Sequence, residues 1–251
     1  MTRSIISMLA LLLLTAALMA QEEEQKKNVS FTIFAGATVP LGNYAEPIGV
    51  NAGLTRRFGF QAGEFVGMAK TGFGTGIECM TEVLTENLYW SITAQFLANP
   101  IDDTEITALF RHQLDDTSTV AFDNGTWMHI PVMTGLSYAL PLGGDFRLFV
   151  TLQGGLNLTQ QASRRAIVDG TVVEETTFEW TPNFGYQAGL GIEFMRSYHL
   201  IFRYLNLDTP HYAGTRIPNV EFFPETPRRE MDISGDARSV SMFFIALGYT
   251  L

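Results

Sequence analysis

Along most of this chain, apolar side chains return at every second position, which is the spacing of a β-strand whose two faces differ. The C-terminus carries the clearest case. Phe243, Ile245, Leu247, Tyr249 and Leu251 alternate with Phe244, Ala246, Gly248 and Thr250. One face is bulky and apolar throughout, and the other is mostly small. A strand of a soluble sandwich would set an apolar inner face against a polar outer one. A mostly small second face suits a narrow barrel interior, with the bulky face turned to lipid.

The same alternation predicts seven earlier strands, at about 29–37, 67–83, 88–98, 127–139, 146–158, 178–194 and 198–207, with the last at 239–251. In the third, Leu88, Trp90, Ile92, Ala94 and Phe96 oppose Ser91, Thr93 and Gln95. In the sixth, Phe184, Tyr186, Ala188, Leu190 and Ile192 oppose Gln187, Gly189, Gly191 and Glu193. Each stretch is near or above the ~9–11 residues that a tilted strand needs to cross a bilayer.

The links between these strands alternate in length. Those around 85–87, 141–145 and 195–197 are short, whereas 38–66, 99–125, 159–177 and 208–238 are long. Loops of the second kind are unusual in compact soluble domains. Eight strands with both ends on one side give three tight turns and four long loops, as in outer-membrane barrels. The expected fold is therefore all-β: an eight-stranded antiparallel up-and-down transmembrane β-barrel. In hydrocarbon every backbone N–H and C=O needs an internal partner, and only closure removes the unpaired edges of a sheet. Tyr138, Phe146, Phe194, Tyr198 and Tyr249 fall on the apolar faces near the short turns, with Trp180 and Tyr204 near the long loops. Aromatic girdles belong at both interfaces of such a barrel.

The N-terminus changes the compartment. Residues 1–20 hold one charge, Arg3, and an apolar run ending at Ala20, before Gln21 and the acidic Glu22, Glu23 and Glu24. They read as a secretory signal peptide. Residues 21–27 follow as a short polar segment, and 28–251 as the barrel domain. The sole cysteine, Cys79, allows no internal disulfide, so an exported chain must be held by its core or by closure. Cys79 falls on the apolar face of its strand and reads as a small lipid-facing side chain. A net charge of −10 argues against nucleic acid as a partner, because phosphate binding needs a basic face. Charged residues are only 17% of the chain, while aromatics reach 12% and glycines number 23, which suits strands facing something apolar.

No catalytic constellation emerges. His112, His129, His199 and His211 are scattered and have no metal-ligand spacing, so neither a metal nor another cofactor is expected. Asp232, Ser234 and Asp236 read as a solvated loop in preference to a calcium site. The polar residues of the non-lipid phase are more informative: Glu78, Gln95, Arg147, Gln153, Gln187, Glu193 and Arg203. Charges inside a small barrel should pair. Glu193 and Arg203, on the two arms of one hairpin, are expected to be near neighbours. This set reads as a salt-bridged plug that fixes register, or else as a narrow polar pathway or gate. In the last long loop, Phe222 and Phe223 would contact a partner or lipid headgroups, or pack over the barrel mouth.

Several runs resemble porin-family outer-membrane β-barrel proteins, the small OmpA/OmpW-like barrels. They are Gly36-Ala37-Thr38-Val39-Pro40-Leu41-Gly42-Asn43-Tyr44, then Ala69-Lys70-Thr71-Gly72-Phe73-Gly74-Thr75-Gly76-Ile77-Glu78, then His129-Ile130-Pro131-Val132-Met133-Thr134-Gly135-Leu136-Ser137-Tyr138, and Phe202-Arg203-Tyr204-Leu205. The likeness covers most of the chain after the signal. It departs at the last residue, Leu251, where such barrels usually end in Phe. The resemblance implies the fold, an outer-membrane location, and contact with outer-membrane lipid and the barrel-assembly machinery; it implies no activity. The expected role is structural or surface-binding, with a filled interior and an extracellular partner met by the long loops. The alternatives are a narrow channel for small or apolar solutes and a lipid-modifying enzyme.

Overall fold

The computed structural model describes residues 29–45, 67–83, 85–104, 107, 118–219, 231–234 and 239–251. His112, Phe222, Phe223, Asp236 and the signal segment lie outside them. The strands in chain order are β1 (Val29–Leu41), β2 (Gly72–Glu82), β3 (Leu88–Pro100), β4 (Val120–Asn124), β5 (Thr126–Gly143), β6 (Phe146–Gln160) and β7 (Arg164–Val168). They continue with β8 (Thr171–Phe178), β9 (Thr181–Phe194), β10 (Tyr198–Asn206), β11 (Ala213–Pro218), β12 (Met231–Ser234) and β13 (Ser241–Thr250). Eight of them close an antiparallel barrel in the order β1-β13-β10-β9-β6-β5-β3-β2. The first and last barrel strands meet with Ala35 opposite Leu247 and Ala37 opposite Ile245.

The barrel strands follow the period of two along most of their length, with a break at the end of β3, where Leu97, Ala98 and Asn99 are all buried. On β13, Phe243, Ile245, Leu247 and Tyr249 are exposed, while Met242, Phe244, Ala246 and Gly248 are buried. Leu247 is 66% exposed, Leu152 65% and Phe184 68%. A soluble fold would not leave a continuous belt of such residues open to water. This is the inside-out distribution of a transmembrane barrel. On β6 the outward apolar face runs from Phe146 to Leu158, twelve residues apart. At a rise of ~3.3 Å and a tilt of ~40°, that is roughly 30 Å, enough for an apolar band of about 25 Å. Near the turns, Phe194 stacks on Tyr198 with ring centroids 5.6 Å apart, and Tyr198 meets Tyr249 edge-on at 5.4 Å. Toward the loops, Tyr204 packs between Tyr186 and Phe243. Two aromatic levels therefore border the apolar face.

Closure also demands small residues where strands approach. A Cβ on Gly36 would lie 1.9 Å from the Ile245 carbonyl oxygen and 2.5 Å from the Ala246 Cα. Only glycine admits the β1–β13 contact that seals the cylinder at this point.

The long links depart from expectation. They are not simple loops: β4, β7, β8, β11 and β12 form a second sheet, ordered β12-β11-β8-β7-β4. This order repeats that of the barrel strands β13, β10, β9, β6 and β5, each of which is the chain neighbour of one wall strand. Phe178 correspondingly ends β8, and the barrel strand β9 starts at Thr181, not at 178. At the other strand expected to start early, the ladder begins at Gly72, with Ala69 making only an isolated bridge to Ile101. In the β7–β8 hairpin, Asp169 and Gly170 both have positive φ, 49° and 78°. That is the two-residue turn whose twist matches the flanking strands. The Thr119 backbone N–H and hydroxyl both donate to the Asp169 carboxylate at 2.8 Å, and these bonds hold the Asp169 pKa below its ordinary value. The buried face of the wall, including Val120, Ala166, Val168, Val173 and Phe178, belongs to the same apolar cluster as the barrel residues Phe34, Leu97 and Phe244. The core thus runs from the lumen out through the loop-side mouth.

Candidate functional site

The lumen is layered, and each layer follows from which residues point inward at that level. Nearest the turns, β6 and β9 set Arg147 directly opposite Glu193. The Arg147 Nη2 donates to the two Glu193 carboxylate oxygens at 2.6 and 2.8 Å, and its Nε donates to one of them at 2.9 Å. The same guanidinium lies over the Phe149 ring at 5.4 Å. His199 lies opposite Glu193 on the neighbouring strand; its Nε2 is 2.6 Å from the Thr250 hydroxyl, which in turn is 2.8 Å from the Thr32 hydroxyl.

The expected pairing of Glu193 with Arg203 is wrong. In the β9–β10 hairpin the register puts His199 opposite Glu193 and Gly189 opposite Arg203. The short turn fixes that register, and four residues along a strand remove Arg203 from reach. Arg203 instead crosses the lumen. Its Nη2 donates to the Glu78 carboxylate on β2 at 2.7 Å, with both side chains buried. Its guanidinium also lies 5.0 Å from the Phe34 ring centroid.

Above these ion pairs lies a layer of amides and hydroxyls. Thr93 Oγ1 is 3.1 Å from a Glu78 carboxylate oxygen and 2.9 Å from the Gln153 amide oxygen. Gln153 donates to Ser91 at 2.7 Å, and Gln95 donates to Gln187 at 2.8 Å. Gln187 donates to Gln153. All seven inward polar residues named from the sequence therefore face the lumen. Six are buried, while Arg147 remains partly open at the turn-side mouth.

The next layer was not legible. Leu97, Met133, Leu205, Met242 and Phe244 all point inward and are fully buried. With Phe34, whose ring lies 5.7 Å from that of Phe244, they form an apolar collar across the lumen. The interior is thus not only small and polar, as the alternation suggested. Period two states that a residue points inward; whether a large apolar side chain is tolerated there depends on what faces it across the cylinder.

At the loop-side mouth an aromatic lid closes the collar. The short 3-10 turn Gly42–Tyr44 brings Tyr44 over the mouth from one side, and Tyr212, just before β11, comes from the other. The Tyr44 hydroxyl is 2.9 Å from His129 Nε2; Thr159 Oγ1 is 2.8 Å from His129 Nδ1 and 3.2 Å from the Tyr212 hydroxyl. Trp127 meets Tyr44 and Tyr212 edge-on and donates its indole N–H to the Gly67 carbonyl at 2.9 Å. Burial, and then the neighbouring Tyr212, raises the Tyr44 phenol well above its ordinary pKa; burial does the same for Tyr212, opposed by its bond with Thr159. Both phenols stay neutral, as a lid without counter-charge requires. Tyr212→Phe removes one hydroxyl from this chain and is expected to cost about 0.5–1.5 kcal/mol. Urea titration in micelles measures it, and an unchanged midpoint would mean that the bond to Thr159 carries no stability.

Among the described residues no group of three or more His, Cys, Asp or Glu side chains converges as a metal site. Cys79 is free, half-buried and on the outward phase of β2.

No known protein family matches the sequence, and no characterised protein matches it at the sequence level. Several solved structures are similar to it. The outer membrane protein OprG from Pseudomonas aeruginosa is 11% identical over 90% of this chain and 97% of its own, with a TM-score of 0.46. A major outer membrane protein from Thermus thermophilus is also 11% identical, over 89% and 99%, with a TM-score of 0.46. The Escherichia coli outer membrane protein W is 14% identical over 90% and 100%, with a TM-score of 0.29. These likenesses are loose. The closure of this barrel and its outward apolar belt stand on the chain's own geometry.

Proposed function

We propose that this chain is an integral outer-membrane protein whose sealed barrel anchors a folded extracellular wall, with a structural or surface-binding role and no transport through the lumen. The outward apolar belt bordered by two aromatic levels supports the location. The single observation that carries the sealed lumen is the apolar collar of Phe34, Leu97, Met133, Leu205, Met242 and Phe244 between the ionic layer and the aromatic lid. Water and ions do not populate a constriction that offers no hydrogen-bond partner. Binding then falls to the wall and the long loops, because surface loops on a rigid scaffold are where contacts with other molecules are made. Phe222 and Phe223 remain candidates for that contact. The proposed partners are the lipid around the belt, the assembly machinery that inserts the barrel, and an extracellular molecule met by the loops.

Membrane fractionation with a heat-modifiability gel tests the location: the protein should sediment with outer membranes and migrate faster unheated than boiled. Recovery in the soluble periplasmic fraction would refute it. Planar-bilayer recording tests the seal. Conductance near zero is expected, and sustained single-channel steps would favour the transport reading.

A further inference from the structure

Below the collar, Glu78, Phe149, Thr151, Gly191, His199 and Arg203 border a cavity of about 20 Å³. Gly189 and Gly191 both point inward there, so β9 contributes no side chain to that part of the lumen. A Cβ placed on Gly191 would meet only the Phe149 Cβ at 3.6 Å and the Leu200 carbonyl oxygen at 3.9 Å. Arg203 is 4% exposed; one of its terminal nitrogens, Nη2, holds Glu78, and the other, Nη1, has no hydrogen-bond partner among the described residues.

We propose that this cavity is a binding site for an internal water molecule, which accepts a hydrogen bond from Arg203 Nη1 and completes the Glu78–Arg203 pair. Three considerations lead there. A buried guanidinium N–H without an acceptor is costly, and a bound water is the smallest group that supplies one. The volume exceeds the roughly 10–15 Å³ that one water needs and is far below that of an organic ligand. The charges nearby already balance, Glu78 against Arg203 and Glu193 against Arg147. A small anion would add an uncompensated charge in a low-dielectric interior, whereas water adds none.

The test uses the protein in micelles, with its arginine side chains labelled with nitrogen-15. A cross-peak between the Arg203 guanidinium protons and a water of long residence is expected. Gly191→Ala fits sterically but puts a methyl group into the cavity. It should abolish the cross-peak and lower the urea midpoint, because Arg203 Nη1 is stranded. Gly191→Ser should also abolish the cross-peak, yet keep a midpoint near that of the parent, because its hydroxyl replaces the water oxygen. Absence of the cross-peak in the parent protein would overturn the proposal, and that measurement stands even if a variant fails to fold. Survival of the cross-peak in Gly191→Ala, or a Gly191→Ala midpoint at or above the parent value, would overturn it as well. A chloride-dependent shift of the Arg203 signals would assign a halide to the site instead of water, with the same consequence.

Discussion

Arg203→Met is expected to destabilise the barrel by about 3–5 kcal/mol, the range for removing one partner of a buried ion pair. The reason is positional. Glu78 is 5% exposed and its carboxylate is held by Arg203 from across the lumen, so the substitution strands a charge with only Thr93 and Gln153 as neutral neighbours. Methionine fills most of the arginine's stem volume and keeps contact with Phe34, which separates the electrostatic loss from a packing loss. The double variant Glu78→Leu with Arg203→Met should recover most of the stability, since an apolar replacement of both partners is often neutral or better. By contrast, Arg147→Met should cost less, because that guanidinium is partly open to solvent and the buried Glu193 left behind still has His199 Nε2 3.8 Å from its carboxylate. Urea unfolding of all four proteins in vesicles decides the matter. A single-variant loss below ~1 kcal/mol, or a double variant no better than the single, would show that the cross-lumen pair does not hold the barrel.

Leu247→Arg is expected to cost about 2–4 kcal/mol, the penalty for a cation on the lipid face near the bilayer midplane. Leu247 lies mid-strand on β13, two positions from Ile245 and from Tyr249, and pairs with Ala35 and Leu200. Its 66% exposure makes the experiment diagnostic. On a water-soluble protein so open a leucine could become arginine within about 0.5 kcal/mol, because nothing is packed on it. Only a hydrocarbon surround turns that exposure into a penalty. The same change near an interface, at Tyr249, should cost less, since a long cationic side chain reaches the headgroups. Folding yield into vesicles and the urea midpoint report both variants. A Leu247→Arg protein as stable as its parent would remove the argument for a membrane around this belt.

Some features were readable from the residues alone, and the failures are instructive beside them. The eight barrel strands, their outward faces and their three tight turns follow from a local period of two and from turn residues, so each segment states them without help. The wall hairpin was also stated locally, by Asp169-Gly170 between alternating apolar residues, but it is hidden when the 159–177 link is read only by its length. No comparable signal marks the lid. Tyr44 and Tyr212 sit in links of mixed composition. They become site residues only because Tyr44 reaches His129, 85 positions away, and Tyr212 reaches Thr159, 53 positions away.

By itself the chain determined which side chains turn to lipid and which turn inward, because a strand's two faces are set by its own geometry. Who meets whom inside was decided by closure. Glu193 takes Arg147 and not Arg203, Arg203 reaches across to Glu78, and Phe34 joins Phe244, Leu97 and Met133 in a collar. These meetings depend on the register of every strand around the cylinder, and register is a sum over the whole ring that no single segment contains.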